Sequence, residues 1–338
     1  MSKFISPGFL IAAFVLALAL AGVSAGLPAD DSTTLSITEW AVPWPDTRPR
    51  DPDLAPDGSI WLVGQAGHYV AHFDPDTGEF RRLELPEGTG PHNVIVDSDD
   101  TLWVAGNLKG WIGQMDPETG AIELYPMPEE EAKDPHTLVF NDQGQIWFTV
   151  QWGNYIGLLQ KNTGNVTLAR VPTPKARPYG IKLDSTGRPW VALLGTNALA
   201  SVDPETFEVV EYRLPREDAR PRRIAITSDD SVWYVDYAQG YLGRFRPASG
   251  EISEWEIPGG PSGPYAMASD AKDRIWFFET RKQPNRLVGF DPADETFFVS
   301  APVPSGGGAV RHTVYDKQRN SLWFGTDTNN LGQARLPD

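Results

Sequence analysis

A tryptophan recurs at nearly constant spacing through the chain, and this repeat constrains the fold more than any other feature. The intervals between successive copies are 42, 44, 43, 43, 43 and 47 residues. The seven copies are Trp61, Trp103, Trp147, Trp190, Trp233, Trp276 and Trp323. A regular period of 20–50 residues indicates one supersecondary unit that is stacked or arrayed many times.

Each repeat contains four short segments that are rich in β-branched and aromatic residues and separated by turns. In the second repeat these segments cover 93–97, 101–105, 111–116 and 121–126, and we label such strands a, b, c and d. An Asp-Pro-Glu-Thr-Gly turn at 116–120 joins strands c and d. Proline presets φ in such turns and glycine accepts positive φ. The pattern predicts an all-β chain, a seven-bladed β-propeller of four-stranded antiparallel blades over 35–336.

The two ends of the chain predict how the ring closes. The last repeat stops at 331–336, which corresponds to strand c, and no strand d follows. Near the N-terminus, residues 35–43 resemble the d strand at 252–258. We therefore expect the N-terminal strand to complete the last blade. The seven tryptophans should pack between neighbouring blades.

Charge and the N-terminus narrow the partners and the compartment. The 338-residue chain has a formal net charge of −16, which argues against nucleic acid, because such partners require basic surfaces. Residues 1–25 combine Lys3, an apolar run and small residues before a cleavage point, as in a secretory signal peptide. An uncleaved anchor is the alternative. We expect an exported monomer, periplasmic or secreted, with no membrane contact after cleavage.

A ring of polar side chains is predicted where strands a begin, at the mouth of the central channel. The residues eleven places before each tryptophan are all large and polar or aromatic: Arg50, His92, His136, Tyr179, Arg222, Tyr265 and His312. Proline precedes six of them, and Arg311 precedes the seventh. Such a ring suits an anionic or carbonyl-rich small molecule or peptide. The alternative is a merely hydrated channel whose side chains pair with nearby loops.

Two carboxylates occupy a second position of the repeat, three residues after the tryptophan. Asp236 and Glu279 fall there in the fifth and sixth repeats. Because these repeats are neighbours, the pair could act as a base or as metal ligands beside the polar ring. Equally, they could be ordinary side chains neutralised by Arg222 or another cation.

Several segments resemble the streptogramin B lyase (virginiamycin B lyase) family across all seven repeats. The segments are Arg-Pro-Tyr-Gly-Ile at 177–181, Ile-Trp-Phe-Thr at 146–149, Gly-Glu-Ile-Ser-Glu-Trp at 250–255 and Ile-Trp-Phe-Phe-Glu at 275–279. The resemblance implies a propeller that opens a cyclic depsipeptide antibiotic by elimination with a magnesium ion. A base removes the proton next to a carbonyl, and a metal or cation stabilises the developing charge.

The residues that the family uses are mostly replaced. The family pattern places a histidine eleven residues before the sixth tryptophan, a Glu-x-His phrase at the start of the last blade, and a glutamate three residues after the last tryptophan. Counted in this way, His312 keeps the histidine of the phrase and is the candidate catalytic base. Tyr265, Val310 and Thr326 replace the other three groups, so most of the metal and acid–base set is missing.

Three functions remain open from the sequence. The first is a lyase-like enzyme with an altered substrate, which would use His312 with Tyr265 and Arg311. The second is a non-catalytic propeller that binds a ligand or protein over Arg50, His92, His136 and Arg222. The third is a calcium-dependent lactonase of the gluconolactonase type, which needs converging carboxylates and amides.

Overall fold

The computed structural model describes Met1 and residues 35–338, and the predicted signal peptide at 1–25 lies outside these described residues apart from Met1. Residues 35–338 form seven four-stranded antiparallel sheets and one short 3-10 helix, Glu130–Ala132. The predicted all-β, seven-bladed β-propeller is therefore confirmed. Each sheet forms one blade, and strand a lies innermost in each blade, around a central channel.

The strands follow the predicted order a, b, c, d along the chain. The first three blades contain β2 (Pro49–Leu54), β3 (Ile60–Gly64), β4 (Tyr69–Phe73) and β5 (Phe80–Glu84); β6 (Val94–Val96), β7 (Leu102–Gly106), β8 (Trp111–Met115) and β9 (Ile122–Pro126); and β10 (Pro135–Phe140), β11 (Ile146–Val150), β12 (Tyr155–Gln160) and β13 (Asn165–Arg170).

The next three blades repeat this arrangement with strands of five to seven residues. They contain β14 (Pro178–Leu183), β15 (Pro189–Leu193), β16 (Ala198–Val202) and β17 (Val209–Arg213); β18 (Pro221–Ile226), β19 (Val232–Asp236), β20 (Tyr241–Arg246) and β21 (Glu251–Glu256); and β22 (Pro264–Ser269), β23 (Ile275–Glu279), β24 (Arg286–Asp291) and β25 (Thr296–Pro302).

The seventh blade joins the two ends of the chain, as predicted. It contains β26 (Val310–Asp316), β27 (Ser321–Thr326), β28 (Asn330–Arg335) and, on its outer edge, β1 (Ser36–Ala41). The outer strand is antiparallel to β28, from Ser36 opposite Arg335 to Ala41 opposite Asn330. Trp40 of this strand stacks on Trp323 with their ring centroids 5.6 Å apart. The closure is therefore held by side-chain packing as well as by backbone hydrogen bonds.

The repeated tryptophans lie in the core between blades. All seven are buried, with at most 4% of their surface exposed. Trp147 of the third blade, for example, packs with Val191 and Leu193 of the fourth. Each interface therefore buries one face of two neighbouring sheets, and the hydrophobic effect holds the ring together blade by blade.

Among residues 35–338, no helix has the length and apolar character that a membrane crossing requires.

Candidate functional site

A β-bulge at the start of strand a turns two consecutive side chains towards the channel. In the third blade, Pro135 pairs with Val150 and Leu138 pairs with Phe148, so His136 and Thr137 together oppose a single residue. The same break in register occurs in blades 4, 5, 6 and 7, and in blade 1 it occurs one residue later, between Arg50 and Asp53. A bulge of this kind bends the strand and redirects its side chains.

The predicted ring residues of blades 1 to 6 do converge on the channel, where they pack against one another. The rings of His92 and His136 lie with their centroids 3.3 Å apart, and those of His136 and Tyr179 lie 4.2 Å apart. The hydroxyls of Tyr179 and Tyr265 are hydrogen-bonded to each other. Only 2–5% of the surface of these four side chains, and of Arg50, is exposed. We call this packed ring the plug, because it fills the mouth that the sequence suggested would be open.

A buried carboxylate holds the plug together. Asp51 accepts hydrogen bonds from Nε of Arg50 at 3.1 Å and from Nη2 of Arg223 at 2.8 Å. Arg223 also donates to Thr137 Oγ1 and to the carbonyl oxygen of Arg311, both at 3.1 Å, and so spans the channel. Burial alone would raise the pKa of the Asp51 carboxyl, but Arg223 and Arg50 hold that pKa well below its usual range.

The buried imidazoles of the channel are neutral at physiological pH. Burial and the neighbouring guanidiniums lower the pKa values of His92 and His136 well below the ordinary value. Burial, followed by Arg223, lowers the pKa of His312 to about 3. These groups therefore resist protonation and do not add positive charge to the arginines around them.

The last blade corrects one assignment made by counting residues from the tryptophan. Its a–b hairpin is one residue longer than in the other blades, so Thr313, not Val314, lies opposite Phe324. The residue that corresponds to His136 is therefore Arg311. Its guanidinium lies 5.8 Å from the ring centroid of Tyr265 and forms an ion pair with Asp327.

His312 consequently lies one place further into the channel than predicted. It lines a cavity of about 260 Å³ on the channel axis together with Lys182 and Arg223. In the described part of the chain, its buried Nδ1 has no hydrogen-bond partner. The strand register places Arg311 rather than His312 at the ring position of the last blade. The assignment of His312 as the retained histidine of the family's Glu-x-His phrase stays a prediction.

The two carboxylates of the second ring lie at the b–c loops of their own blades. Asp236 accepts hydrogen bonds from the backbone N–H groups of Arg220, Ala238 and Gln239. Glu279 forms an ion pair of 2.9 Å with Lys282. Within residues 35–338 neither carboxylate has a hydrogen bond or ion pair with a side chain of the plug. Glu279 thus has the neighbouring cation that the structural alternative requires. Asp236 is held by backbone N–H groups, and within residues 35–338 its buried Oδ2 has no hydrogen-bond partner.

The donor atoms of the plug do not suit the magnesium ion that the resemblance implies. Mg²⁺ prefers several oxygen ligands, mainly carboxylates and waters. Among the described residues, no group of three histidine, cysteine, aspartate or glutamate side chains is placed to hold a metal ion. Asp51, the carboxylate that holds the plug in the described part of the chain, is already bound by Arg50 and Arg223. The residues at the plug therefore do not fit a magnesium ion.

A cationic cavity, which the sequence patterns above do not predict, adjoins the plug on the face where strands a begin. The cavity measures about 460 Å³, and its charged and aromatic lining residues are Lys175, Arg177, Arg220, Arg222, Tyr237 and Arg281. Within residues 35–338 none of these five cations forms an ion pair with a carboxylate. The site is thus a concentration of unneutralised positive charge on an acidic protein.

Tyr237 brings two of these guanidiniums together. Arg222 lies 3.7 Å and Arg281 lies 4.5 Å from the centroid of its ring. In the described chain, Arg222 donates no hydrogen bond, and its buried Nε is without a partner. Cation–π contacts stabilise both groups without neutralising their charge. An anion between them would supply the missing hydrogen-bond acceptors and relieve their repulsion.

Close approach of two loops shapes the wall of the cationic cavity. Gly195 lines the cavity, and a Cβ atom at this position would lie only 2.0 Å from the carbonyl oxygen of Lys175. Only glycine fits there without moving the backbone. An arginine thirteen residues before a repeat tryptophan is a partial signal for the cavity: it occurs at Arg48, Arg177 and Arg220, and the last two line the cavity.

Fold and site together define a seven-bladed propeller with a plugged channel and a cationic cavity beside the plug. The sequence profile of the virginiamycin B lyase family matches residues 30–202 and 187–334. The chain therefore belongs to the virginiamycin B lyase family. No curated protein sequence gave a significant match.

Solved structures of similar shape include lyases of this family. Virginiamycin B lyase from Staphylococcus aureus superposes with a TM-score of 0.81 at 23% identity, covering 90% of this chain and 100% of that chain. A catalytically inactive histidine-to-alanine variant of that enzyme, with quinupristin, gives the same values. A streptogramin B lyase structure gives a TM-score of 0.79 at 24% identity and covers 89% and 98% of the two chains. At these identities the likeness shows the shared fold.

Proposed function

We propose that this chain is an exported ligand-binding propeller that holds a small anionic molecule in its cationic cavity. The observation that carries the proposal is the Arg222 guanidinium, which is partly buried and has aromatic contacts but, among residues 35–338, no hydrogen-bond acceptor. A buried N–H group without an acceptor is costly, and a bound carboxylate, sulfate or phosphate group would accept from Nε of Arg222. The neighbouring cations make the cavity a favourable place for such a group.

The plug supports binding at its rim and opposes chemistry at its centre. Its histidines and tyrosines are buried against one another, so a substrate cannot reach them without displacing the packing. Arg222 is the member that extends from the plug to the cationic cavity: it lies 4.6 Å from the ring centroid of Tyr265 and also lines the cavity. The plug therefore acts as a rigid support that presents Arg222 to the ligand.

A titration with inorganic pyrophosphate tests this function. We expect calorimetry to show binding to the mature protein and affinity to fall as salt concentration rises. Arg281→Gln should weaken binding about tenfold, because it removes one charge-assisted hydrogen bond. Lys317→Gln, an exposed lysine on an a–b hairpin at the opposite face, is the matched control and should bind as the wild type does. Absence of binding, or equal affinity in the Arg281→Gln protein, would overturn the proposal.

A lyase with an altered substrate is the second candidate, because the chain belongs to a lyase family. Tyr265 is the group at the plug best suited to remove a proton. Burial would raise its pKa, yet Arg222, Arg50, Arg223 and Arg311 together lower it. The test is incubation with cyclic esters, followed by mass spectrometry. A ring opened by elimination keeps its mass, whereas hydrolysis adds one water. A product of unchanged mass that is lost in Tyr265→Phe would favour this candidate.

Export is the remaining part of the proposal. It is supported by the lysine and apolar run before residue 25. N-terminal sequencing of the protein recovered outside the cytoplasm should show cleavage after Ala25. Size-exclusion chromatography with light scattering should show a monomer. Recovery of the intact chain from the membrane fraction would instead support an uncleaved anchor.

A further inference from the structure

A second cavity lies beside the cationic one, and exposed apolar side chains form part of its lining, together with polar and charged residues that include Glu131 and Asp134. It measures about 680 Å³ and includes Leu108, Trp152 and Pro174. Leu108 is 68% exposed and Trp152 is 66% exposed, so both present most of their surface to solvent. An exposed indole in a concave site buries a large apolar area when it is covered.

The backbone that carries Trp152 is fixed, so the cavity is already formed. The carboxylate of Asp134 accepts hydrogen bonds from the backbone N–H of Trp152 at 2.7 Å and of Gly153 at 3.0 Å. Asn154 Nδ2 donates to the carbonyl oxygens of Val171 and Thr173, both at 3.0 Å. These contacts tie the loop of Trp152 to the segment that leads into the next blade. A rigid site loses less entropy when a ligand binds.

The two cavities are neighbours that share a wall. Lys175 lines both of them. Arg177 lines the cationic cavity, and its guanidinium lies 4.2 Å from the centroid of the Trp152 ring. The backbone N–H of Arg177 donates to Asn154 Oδ1 at 3.1 Å, which fixes this pair of side chains to one frame. Positive charge and apolar surface therefore meet at a single point, where Arg177 stacks on Trp152.

We infer that the ligand is an amphiphilic organic anion, with an acidic group in the cationic cavity and an aromatic ring on Trp152. This inference rests on the proposed function and specifies its ligand class. Charge complementarity selects this occupant: the exposed apolar residues adjoin Lys175 and Arg177, so a ligand that carries both an acidic group and an apolar ring matches both parts of the site. An aromatic acid satisfies both halves of the site at once.

Calorimetry with three matched probes tests the ligand class. The probes are naphthalene-2-sulfonate, inorganic sulfate and neutral 2-naphthol. We expect naphthalene-2-sulfonate to bind at least tenfold more tightly than either of the others, since only it uses both cavities. Trp152→Ala should remove that advantage while sulfate affinity stays unchanged. Leu124→Ala, which truncates an exposed leucine on an outer strand, is the control and should leave all three affinities unchanged.

The possible outcomes distinguish failure of the inferred ligand class from failure of the proposed anion-binding function. Two results would overturn the inferred aromatic contact with Trp152 while leaving the anion site in place. One is equal affinity for sulfate and naphthalene-2-sulfonate, and the other is unchanged naphthalene-2-sulfonate affinity in the Trp152→Ala protein. Equal affinity for 2-naphthol and naphthalene-2-sulfonate would show that charge does not contribute, which also overturns the inference. Failure of pyrophosphate, sulfate and naphthalene-2-sulfonate to bind would overturn the proposed function itself.

Discussion

The buried carboxylate of Asp51 offers the sharpest test of how the plug is held. Asp51→Asn removes its negative charge while keeping its size. The change leaves two guanidiniums, Arg50 and Arg223, without the group that neutralises them at 3.1 and 2.8 Å. Breaking a buried ion pair by removing one partner costs about 3–5 kcal/mol. We expect a loss of that size in the free energy of unfolding.

The expected shift in Tm follows from the size of the domain. A propeller of roughly 300 residues has an unfolding entropy of about 0.6 kcal/mol/K, at about 2.1 cal/mol/K per residue. A loss of about 3–5 kcal/mol therefore corresponds to a Tm lower by about 5–8 °C. Calorimetry and urea titration at pH 7 would measure both quantities on the same preparation.

A surface ion pair provides the matched control for Asp51. Glu251 pairs with Arg246 at 3.0 Å, but both side chains are well exposed to solvent. Glu251→Gln should lower stability by less than about 1 kcal/mol, since exposed pairs contribute little. Equal effects of the two substitutions, or a Tm within about 1 °C of the wild type for Asp51→Asn, would refute our account of the plug.

Three further predictions concern the channel and the ring closure. The pKa of His312 in the folded protein, about 3, lies below the ordinary value of 6.5. Its contribution to stability is therefore full above pH 6.5 and is lost as pH falls towards 3. Urea titrations over this pH range should show that His312→Gln reduces the loss of unfolding free energy by about 1 kcal/mol per pH unit. Burial raises the pKa of Asp53 from 3.8 to about 6. Stability is therefore lost as pH rises from about 4 through 6. At pH 7.5 the Asp53→Asn protein should be more stable than the wild type by about 1–3 kcal/mol, and this difference in unfolding free energy should disappear at pH 4. Trp40→Ala, which removes the stack on Trp323, should lower the free energy of unfolding by about 2–4 kcal/mol, whereas Trp152→Ala at an exposed site should change it by less than about 0.5 kcal/mol. Three results would contradict the corresponding predictions. They are an Asp53→Asn stability difference that does not vary with pH, the same loss of stability between pH 6.5 and 3 in wild type and His312→Gln, and equal destabilisation by Trp40→Ala and Trp152→Ala.

The fold was predictable because one residue type reports the same structural environment seven times. An indole between blades is required wherever two sheets pack, so its spacing of about 43 residues reveals the blade directly. The closure by β1 was predictable for a similar reason, since a blade with three strands leaves an edge that another strand must cover.

The positions in the last blade were less predictable, because counting from Trp323 assumes a constant hairpin length. One additional residue between Asp316 and Trp323 moves Arg311 to the position assigned to His312. Counting back from the tryptophan cannot distinguish an additional residue in the hairpin from a substitution at the ring position. The pairing of residues between strands a and b in the structure distinguishes the two.

The cationic cavity was not predictable from composition, since it is assembled from three blades. Arg177, Arg220 and Arg281 come from loops of different blades, and the net charge of the whole chain has the opposite sign. Local potential depends on which side chains meet in space, and no short segment of the sequence contains that information. Asp236 and Glu279 show a related difficulty. The sequence alone does not distinguish a carboxylate that accepts hydrogen bonds from a loop from a carboxylate that binds a ligand.

The position of a bound anion tests the central claim most directly. Crystals of the mature protein soaked in selenate would locate the anion by the anomalous scattering of selenium. We predict a peak within hydrogen-bonding distance of the guanidiniums of Arg222 and Arg281, and its loss in the Arg281→Gln protein. A peak within the plug beside Arg50 and His92, or no peak in the cationic cavity, would contradict the account.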